Sequence, residues 1–372
     1  MVILRRATAL LLSLVLAACS TPRGAGFEAE VLNAATTQDS NGVIADNFAV
    51  FPVTRSALAQ LSSWPTVGMK NYAWVKRQTQ PASLIIAPGD KLVITVWDAE
   101  ENSLLTSLDQ RVAQLQETPV GPDGRIFIPF IGELNVAGMS PATARAKIEA
   151  ELIDTIPSAQ VQLNVEPGRA NTANLVAGVA KPGVYPLPDR DFTLLGLLAQ
   201  GGGVGGNLVN PQVRLMRGGA IYGMSLSRLY EDPSLDTTLR GGDRVIVEGE
   251  ERYFLALGAA GNEALHIFPK DEVTALDALA IIGGVADARA DPQGILILRE
   301  YPRDATGQSP DLPPQERIVF TMDLTSADGL FSAGKFQVMP GDLVYATESP
   351  AVAFGSVLGI LNSLAIFRSR LQ

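Results

Sequence analysis

The sequence predicts an α+β, multidomain chain, and three observations carry that expectation. The 372 residues include 35 Gly and 24 Pro, so short strands joined by tight turns should outnumber long helices. Apolar residues make up 47% and charged residues 18%, which supplies folded cores without the repeated long apolar runs of a polytopic membrane protein. A block of strand, turn, strand, helix, Gly-Gly, further strands, Gly-Asp turn and strand then occurs twice. Gly178 and Gly258 stand 80 residues apart in the two copies, and Gly201 and Gly283 stand 82 apart.

The same composition excludes several functions. A formal charge of −10, with no long Lys/Arg block, argues against nucleic acid as a partner. With a single cysteine, Cys19, and a single histidine, His266, there is no basis for a disulfide framework, a Cys/His metal site or a Cys–His dyad. No catalytic residue, cofactor or metal is therefore expected.

Arg5 and Arg6 precede the apolar run Ala7 to Ala18, too short for a mature span and suited to a signal peptide over residues 1–18. The run ends in Leu16-Ala17-Ala18-Cys19, and a lone cysteine in an exported chain is best explained as a lipidation site. The alternative is ordinary cleavage beside a chance cysteine. Ser20 follows, without the Asp that would direct the chain to the inner membrane. Losing Arg5 and Arg6 brings the net charge to −12.

Residues 19–82 show no clear period and read as an extended segment packing on other domains. From Ser83 the pattern sharpens. Leu84 to Ala87 and Lys91 to Trp97 flank the turn Pro88-Gly89-Asp90, which reads as strand, turn, strand. Gly121-Pro122-Asp123-Gly124 turns into a strand over Arg125 to Ile131. Ser140 caps a helix that opens with Pro141 and buries Ala144, Ile148 and Leu152. The strand Val161 to Val165 closes the unit, placed at 83–168.

Copy one, residues 171–249, runs through Leu175-Val176-Ala177-Gly178, the helix Thr193 to Gln200, six residues from Gly201 to Gly206, and Gly241-Gly242-Asp243. Copy two, residues 252–347, runs through Phe254 to Gly258, the helix Thr274 to Ile282, Gly283-Gly284, the strand Ile295 to Arg299, and Pro340-Gly341-Asp342. One helix across a curved mixed sheet is a β-grasp arrangement. Residues 349–372 form the last element, with eighteen uncharged residues from Pro350 to Phe367. As a helix these span about 27 Å, slightly less than a ~30 Å hydrocarbon core. Phe354, Leu358 and Leu361 fall on an apolar face, and Gly355, Ser356, Gly359, Asn362 and Ser363 on the opposite one. Such a helix spans lipid poorly alone, whereas a ring of copies can turn the polar stripes inward, with Gly355 and Gly359 allowing close approach. A soluble helix docked on its own domain is the alternative.

Other patterns suggest chemistry and are better explained by structure. Gly201, Gly203 and Gly206 satisfy G-x-G-x-x-G but follow a helix rather than a strand, so they read as a helix end. Asp90, Asp243 and Asp342 each follow Gly in a turn, where a short carboxylate accepts from nearby backbone N–H groups. Asp98, Glu100 and Glu101 are sequence neighbours and make an unconvincing glycosidase pair, though they could line an acidic wall. His266 has no nucleophile nearby and reads as structural.

The order of these pieces resembles the outer-membrane polysaccharide export lipoproteins (Wza-like). The matching residues are Ala87-Pro88-Gly89-Asp90 with Val96-Trp97-Asp98, then Pro122-Asp123-Gly124-Arg125-Ile126 with Pro129-Phe130-Ile131-Gly132, the two repeats with their Gly-Asp closures, and the tail from Ser349-Pro350. Copy two departs with Gly261-Asn262 where copy one has Pro182-Gly183. The resemblance implies a polysaccharide-export domain, two soluble-ligand-binding (SLBB) β-grasp repeats and a C-terminal amphipathic transmembrane helix. It implies a palmitate-bearing lipoprotein in the outer membrane with its bulk in the periplasm. It also implies a ring homo-oligomer, an octamer, that passes capsular or exopolysaccharide through a porin-like helical channel. The polymer would arrive from an inner-membrane polysaccharide copolymerase of the tyrosine-kinase type. A non-pore periplasmic glycan-binding lipoprotein is the competing expectation; a hydrolase lacks a catalytic pair.

Overall fold

A computed structural model describes residues 24–33, 48–81, 83–97, 112–115, 117–286 and 289–350. Cys19, the acidic trio Asp98, Glu100 and Glu101, and the residues assigned to the pore helix, Phe354 to Ser363, lie outside them. Among the described residues no helix is long and apolar enough to cross a membrane. The chain is a mixed α/β protein of two units, one built from residues 1–70 with 251–372 and the other from 71–250.

The first described elements are the short helix α1 (Glu28–Asn33), strand β1 (Ala49–Pro52) and a single helical turn, α2 (Leu58–Leu61). Pro52 ends β1 at a sheet edge, where its missing N–H leaves no ladder bond unmade.

In the unit 71–250, strand β2 (Lys91–Trp97) pairs antiparallel with β3 (Val112–Gln114), β4 (Thr118–Pro119) and β7 (Gln160–Glu166). Between them lie the hairpin β5 (Arg125–Ile128) and β6 (Gly132–Asn135) and the helix α3 (Pro141–Leu152). The Ser140 hydroxyl accepts from Thr143 N at 3.2 Å, and Ala144, Ile148 and Leu152 are buried against β2 residues Leu92, Ile94 and Val96. Leu84 to Ala87 corrects the sequence reading, because it forms no strand. Its Ile86 instead exchanges backbone hydrogen bonds with the turn before α3, donating to Met139 O and accepting from Gly138 N, each at 2.9 Å. The strand expected over Arg125 to Ile131 also stops early, at Ile128, because Phe130 turns the chain with φ +70°.

The rest of this unit is a sheet in the order β11 (Ala220–Ser225), β10 (Gln212–Arg217), β12 (Arg244–Glu248), β8 (Thr172–Ala177), β9 (Gly183–Pro186). Only the central β12–β8 pair is parallel. Helix α4 (Leu194–Gln200), capped by the Thr193 hydroxyl, buries Leu194, Leu197 and Leu198 on it. Helix α5 (Leu226–Glu231) follows β11. Trp74 donates to Leu235 O at 2.8 Å, and Arg77 pairs with Asp191 at 2.9 Å, so residues 71–80 run along this sheet's module.

The other unit repeats the strand order. Its sheet runs β1, β17 (Arg317–Met322), β16 (Ala290–Glu300), β19 (Leu343–Glu348), β13 (Tyr253–Gly258), β14 (Ala264–Ile267). The central β13–β19 pair is again parallel, and β1 is added in parallel at the β17 edge. Despite the different loop residues, the two hairpins keep equivalent pairings, Leu175 with Gly183 and Ala256 with Ala264. The helix α6 (Ala275–Ile281) begins in a capping box between Thr274 and Asp277 and ends at Gly283 and Gly284, φ +79° and +82°. A further helix, α7 (Ala327–Ala333), lies beside it. Trp64, brought in after β1, packs edge-on against Phe51 and Tyr301 and joins Phe254, Phe268 and Phe320 in the core.

Candidate functional site

Asp90, Asp243 and Asp342 all sit in Gly-Asp turns, and all three carboxylates are buried, at 0%, 1% and 1% exposure. A buried carboxylate needs partners for both oxygens, and each finds them in the same two places. The local partner is the backbone N–H three residues earlier, at 2.8 Å each: Ala87 for Asp90, Arg240 for Asp243 and Met339 for Asp342. The distant partner comes from another element.

In the two repeats that partner is arginine. Arg217 ends β10 and grips Asp243 through Nε at 2.9 Å and Nη2 at 2.6 Å. Arg299, near the end of β16, grips Asp342 through Nε and Nη2 at 2.9 and 2.8 Å. The positions correspond: Met216 pairs with Arg244 and Leu298 with Leu343, so each arginine lies one residue past the partner of the residue after the aspartate. Arg299 also donates to Gln337 O and Tyr301 Oη, and its guanidinium lies 5.0 and 5.2 Å from the Phe320 and Phe336 rings. Burial works against the Arg299 charge, but the adjacent Asp342 carboxylate outweighs it and holds the guanidinium pKa above its usual value. Burial in turn pushes the Asp342 carboxyl above the ordinary range against the pull of Arg299.

Asp90 takes a different partner set. Gly168 N and Asn171 Nδ2 donate to it at 2.7 Å each, across about eighty residues of chain. Asp90 thereby ties the start of β2 to the linker entering the first repeat. Asp90→Asn is expected to destabilise the unit by about 2 kcal/mol, because the amide can accept at only one of its two terminal atoms and leaves a buried donor unpaired. A denaturant melt that shifts by less than about 0.5 kcal/mol would count against that role.

The other singled-out residues also have structural assignments. Gly201 N–H bonds to Leu197 O and Gly203 N–H to Leu198 O, with Gly202 and Gly203 at φ +81° and +83°, so the glycine run closes α4. His266 stacks on Phe254 with ring centres 5.4 Å apart, and its Nε2 lies 3.2 Å from Asn262 O. Pro88, Gly89, Gly241, Gly242, Pro340 and Gly341 form the turns that present the aspartates; Gly89, Gly242 and Gly341 take φ near +90°. Arg299 was legible only as the basic residue that ends the apolar run Ile295 to Arg299, and Arg217 only as the second arginine of Gln212 to Arg217, whose other arginine, Arg214, pairs with Glu248 instead.

Beside Asp342 a cavity of about 510 Å³ is lined by Leu298, Arg299, Arg317, Ile318 and Gly341, with Glu300 also on its wall. Its carboxylates are engaged by arginines, Asp342 by Arg299 and Glu300 by Arg317 at 3.3 Å. Among the described residues no group of three His, Cys, Asp or Glu could hold a metal. The cavity offers mixed apolar and charged contact.

Residues 78–166 match the family described as polysaccharide biosynthesis/export protein. The chain is 27% identical over 299 residues to the capsule polysaccharide export protein BexD of Haemophilus influenzae, covering 74% of each. It is 26% identical over 296 residues to the capsule polysaccharide export outer membrane protein CtrA of Neisseria meningitidis, covering 74% of this chain and 75% of that one. It is 24% identical over 301 residues to the Vi polysaccharide export protein VexA/TviF of Salmonella typhi, covering 80% and 81%.

Proposed function

We propose that this Wza-like polysaccharide export protein is the outer-membrane translocon through which a capsular or exopolysaccharide leaves the cell. Polysaccharide export proteins are transport components, and the chain is not an enzyme. The observation that carries the reading is the order of its parts. An export domain at 78–166 is followed by two sheets of shared strand order, which we assign as SLBB β-grasp repeats. The second leads through Ser349 into eighteen uncharged residues.

In this reading Cys19 carries diacylglycerol and palmitate, and the domains stand in the periplasm as a ring homo-oligomer around a polar cavity. The C-terminal helices close a pore, with Gly355, Ser356, Gly359, Asn362 and Ser363 toward water and Phe354, Leu358 and Leu361 toward lipid. An inner-membrane copolymerase delivers the chain. A long hydrated polymer must not stall, so weak contacts along polar walls suit the task better than a tight pocket. If the polymer is acidic, a charge of −12 per processed subunit disfavours sticking.

Deleting residues 351–372 is expected to abolish surface polysaccharide while leaving acylation and periplasmic folding intact. In negative-stain images, hollow rings in detergent should lose their membrane-end crown. Monodisperse monomers from both the full chain and the deletion would overturn the pore. The cavity beside Asp342 favours a second reading, a non-pore glycan-binding lipoprotein, for which the deletion would spare glycan binding.

A further inference from the structure

The β5–β6 hairpin of the export domain carries two phenylalanine rings that its fold does not bury. The strands pair Phe127 with Glu133 and Arg125 with Asn135. Ile126, Ile128 and Leu134 point the other way, into the core shared with α3. The two-residue period therefore puts Arg125, Phe127, Glu133 and Asn135 together on the outward face. Phe127 is 63% exposed there, and Phe130, in the turn beyond it, is 56% exposed. Phe130 also takes φ +70°, a left-handed conformation that is costly for a bulky L-residue and suits Gly or Asn. The turn itself needs no ring at that position: Ile131 N bonds back to Ile128 O at 3.2 Å, and Ile131 packs on the core. A large ring kept in an unfavourable backbone conformation and left in water points to a task outside the fold.

The neighbours of the rings indicate what they meet. Partners across a hairpin stand about 5 Å apart, and successive outward residues roughly 7 Å apart. Phe127 thus lies within one sugar's reach of a guanidinium, a carboxylate and an amide. Arg125 Nη1 donates to Glu133 Oε2 at 3.1 Å, which holds the two planar groups side by side. An aromatic face is electron-rich and attracts the polarised C–H bonds that a pyranose presents on one side. The hydroxyls at the rim of the same sugar come in vicinal pairs, which a carboxylate, an amide or a guanidinium can bond two at a time. We infer that Arg125, Phe127, Phe130, Glu133 and Asn135 form a pyranose-binding surface, on which sugars of the exported polymer stack as they pass the export domain. The inference rests on the proposed transport role and adds residues that touch the polymer. The surface is open and its polar groups are exposed, so each contact is weak and the polymer is released readily.

The test uses the full-length chain in detergent and oligosaccharides prepared by partial hydrolysis of the surface polysaccharide of the cells that make it. Saturation-transfer NMR should show the strongest transfer to ring C–H protons of the sugars, and a titration gives the dissociation constant. Phe127→Thr and Phe130→Gly should each raise that constant about three- to tenfold, the factor that one ring contact carries. Phe127→Tyr, which keeps the ring, should bind more tightly than Phe127→Thr. Phe130→Gly should leave the melting temperature unchanged or raise it, because glycine adopts the left-handed conformation freely. Unchanged binding by Phe127→Thr and Phe130→Gly would overturn the sugar surface. A melting temperature lowered by Phe130→Gly would show that the ring serves the fold and would remove Phe130 from the surface. A smaller oligomer on size-exclusion chromatography, with binding intact, would assign the rings to a contact between copies instead. No binding by the wild-type chain, while deleting its gene still abolishes surface polysaccharide, would overturn the sugar surface and leave the transport role standing. Surface polysaccharide that survives the gene deletion would overturn the transport role, and the sugar surface with it.

Discussion

Replacing Asp342 with Ala is expected to cost the second repeat about 3–5 kcal/mol, because it leaves the Arg299 guanidinium buried without its counter-charge. Arg299 has nowhere to go. Its side chain is 5% exposed, enclosed by Tyr301, Phe320 and Phe336, and held by Gln337 O. Met339 N and one arginine fork lose their acceptors in the same step. The equivalent change in the first repeat, Asp243→Ala, should cost less. Arg217 is 14% exposed there, and water can reach part of the orphaned charge. Replacing both members of the buried pair, as Arg299→Met with Asp342→Leu, should recover most of the loss, since a packed apolar pair needs no desolvation of charge. Thermal melts of the full chain with hydrogen exchange on β16 and β19 give the ranking. A cost below about 1 kcal/mol for Asp342→Ala would mean that the pair is a passenger.

Gly178→Ala is the second large effect, at least about 3 kcal/mol. Gly178 takes φ +77°, and a Cβ there would lie 1.9 Å from Val247 O, a backbone atom of the neighbouring parallel strand. The left-handed conformation alone costs an L-residue about 1–2 kcal/mol, and the clash can be relieved only by parting β8 from β12. Gly258 repeats the arrangement with φ +89° and Ala346 O at 2.3 Å. Gly89→Ala is the control, with φ +91° and nothing within 4 Å of the added carbon, so it meets the conformational cost without the clash. If Gly178→Ala and Gly89→Ala lower the melting temperature equally, the close approach of the strands contributes nothing.

Much of the fold was legible because its signals are local. Ser140 before Pro141, and Thr193 and Thr274 before their apolar runs, cap helices by bonding backbone three residues on. The double glycines end two helices because only a residue without Cβ adopts their left-handed angles at little cost. The three Gly-Asp turns were legible for the same reason, with each aspartate bonding the N–H three residues before it. Leu84 to Ala87 shows the limit of such reading. Its apolar run matches a strand, but the strand partners of β2 are taken by β3, β4 and β7, and Ile86 pairs with a turn instead.

The sequence by itself determined the repeat, the helix ends, the turn chemistry, the lack of a second cysteine or histidine to build a disulfide, a Cys/His metal site or a Cys–His dyad, and the resemblance to polysaccharide export proteins. All of these rest on residues a few positions apart or on counts. Only the tertiary structure decided that Arg217 and Arg299 neutralise the turn aspartates, that β1 completes the second sheet, and that Gly26 meets Tyr345. Those contacts span 26, 43, about 270 and 319 residues. Their physical reason is register: which side chain faces which across a sheet depends on how strands align, and no local pattern along one strand specifies its distant neighbour.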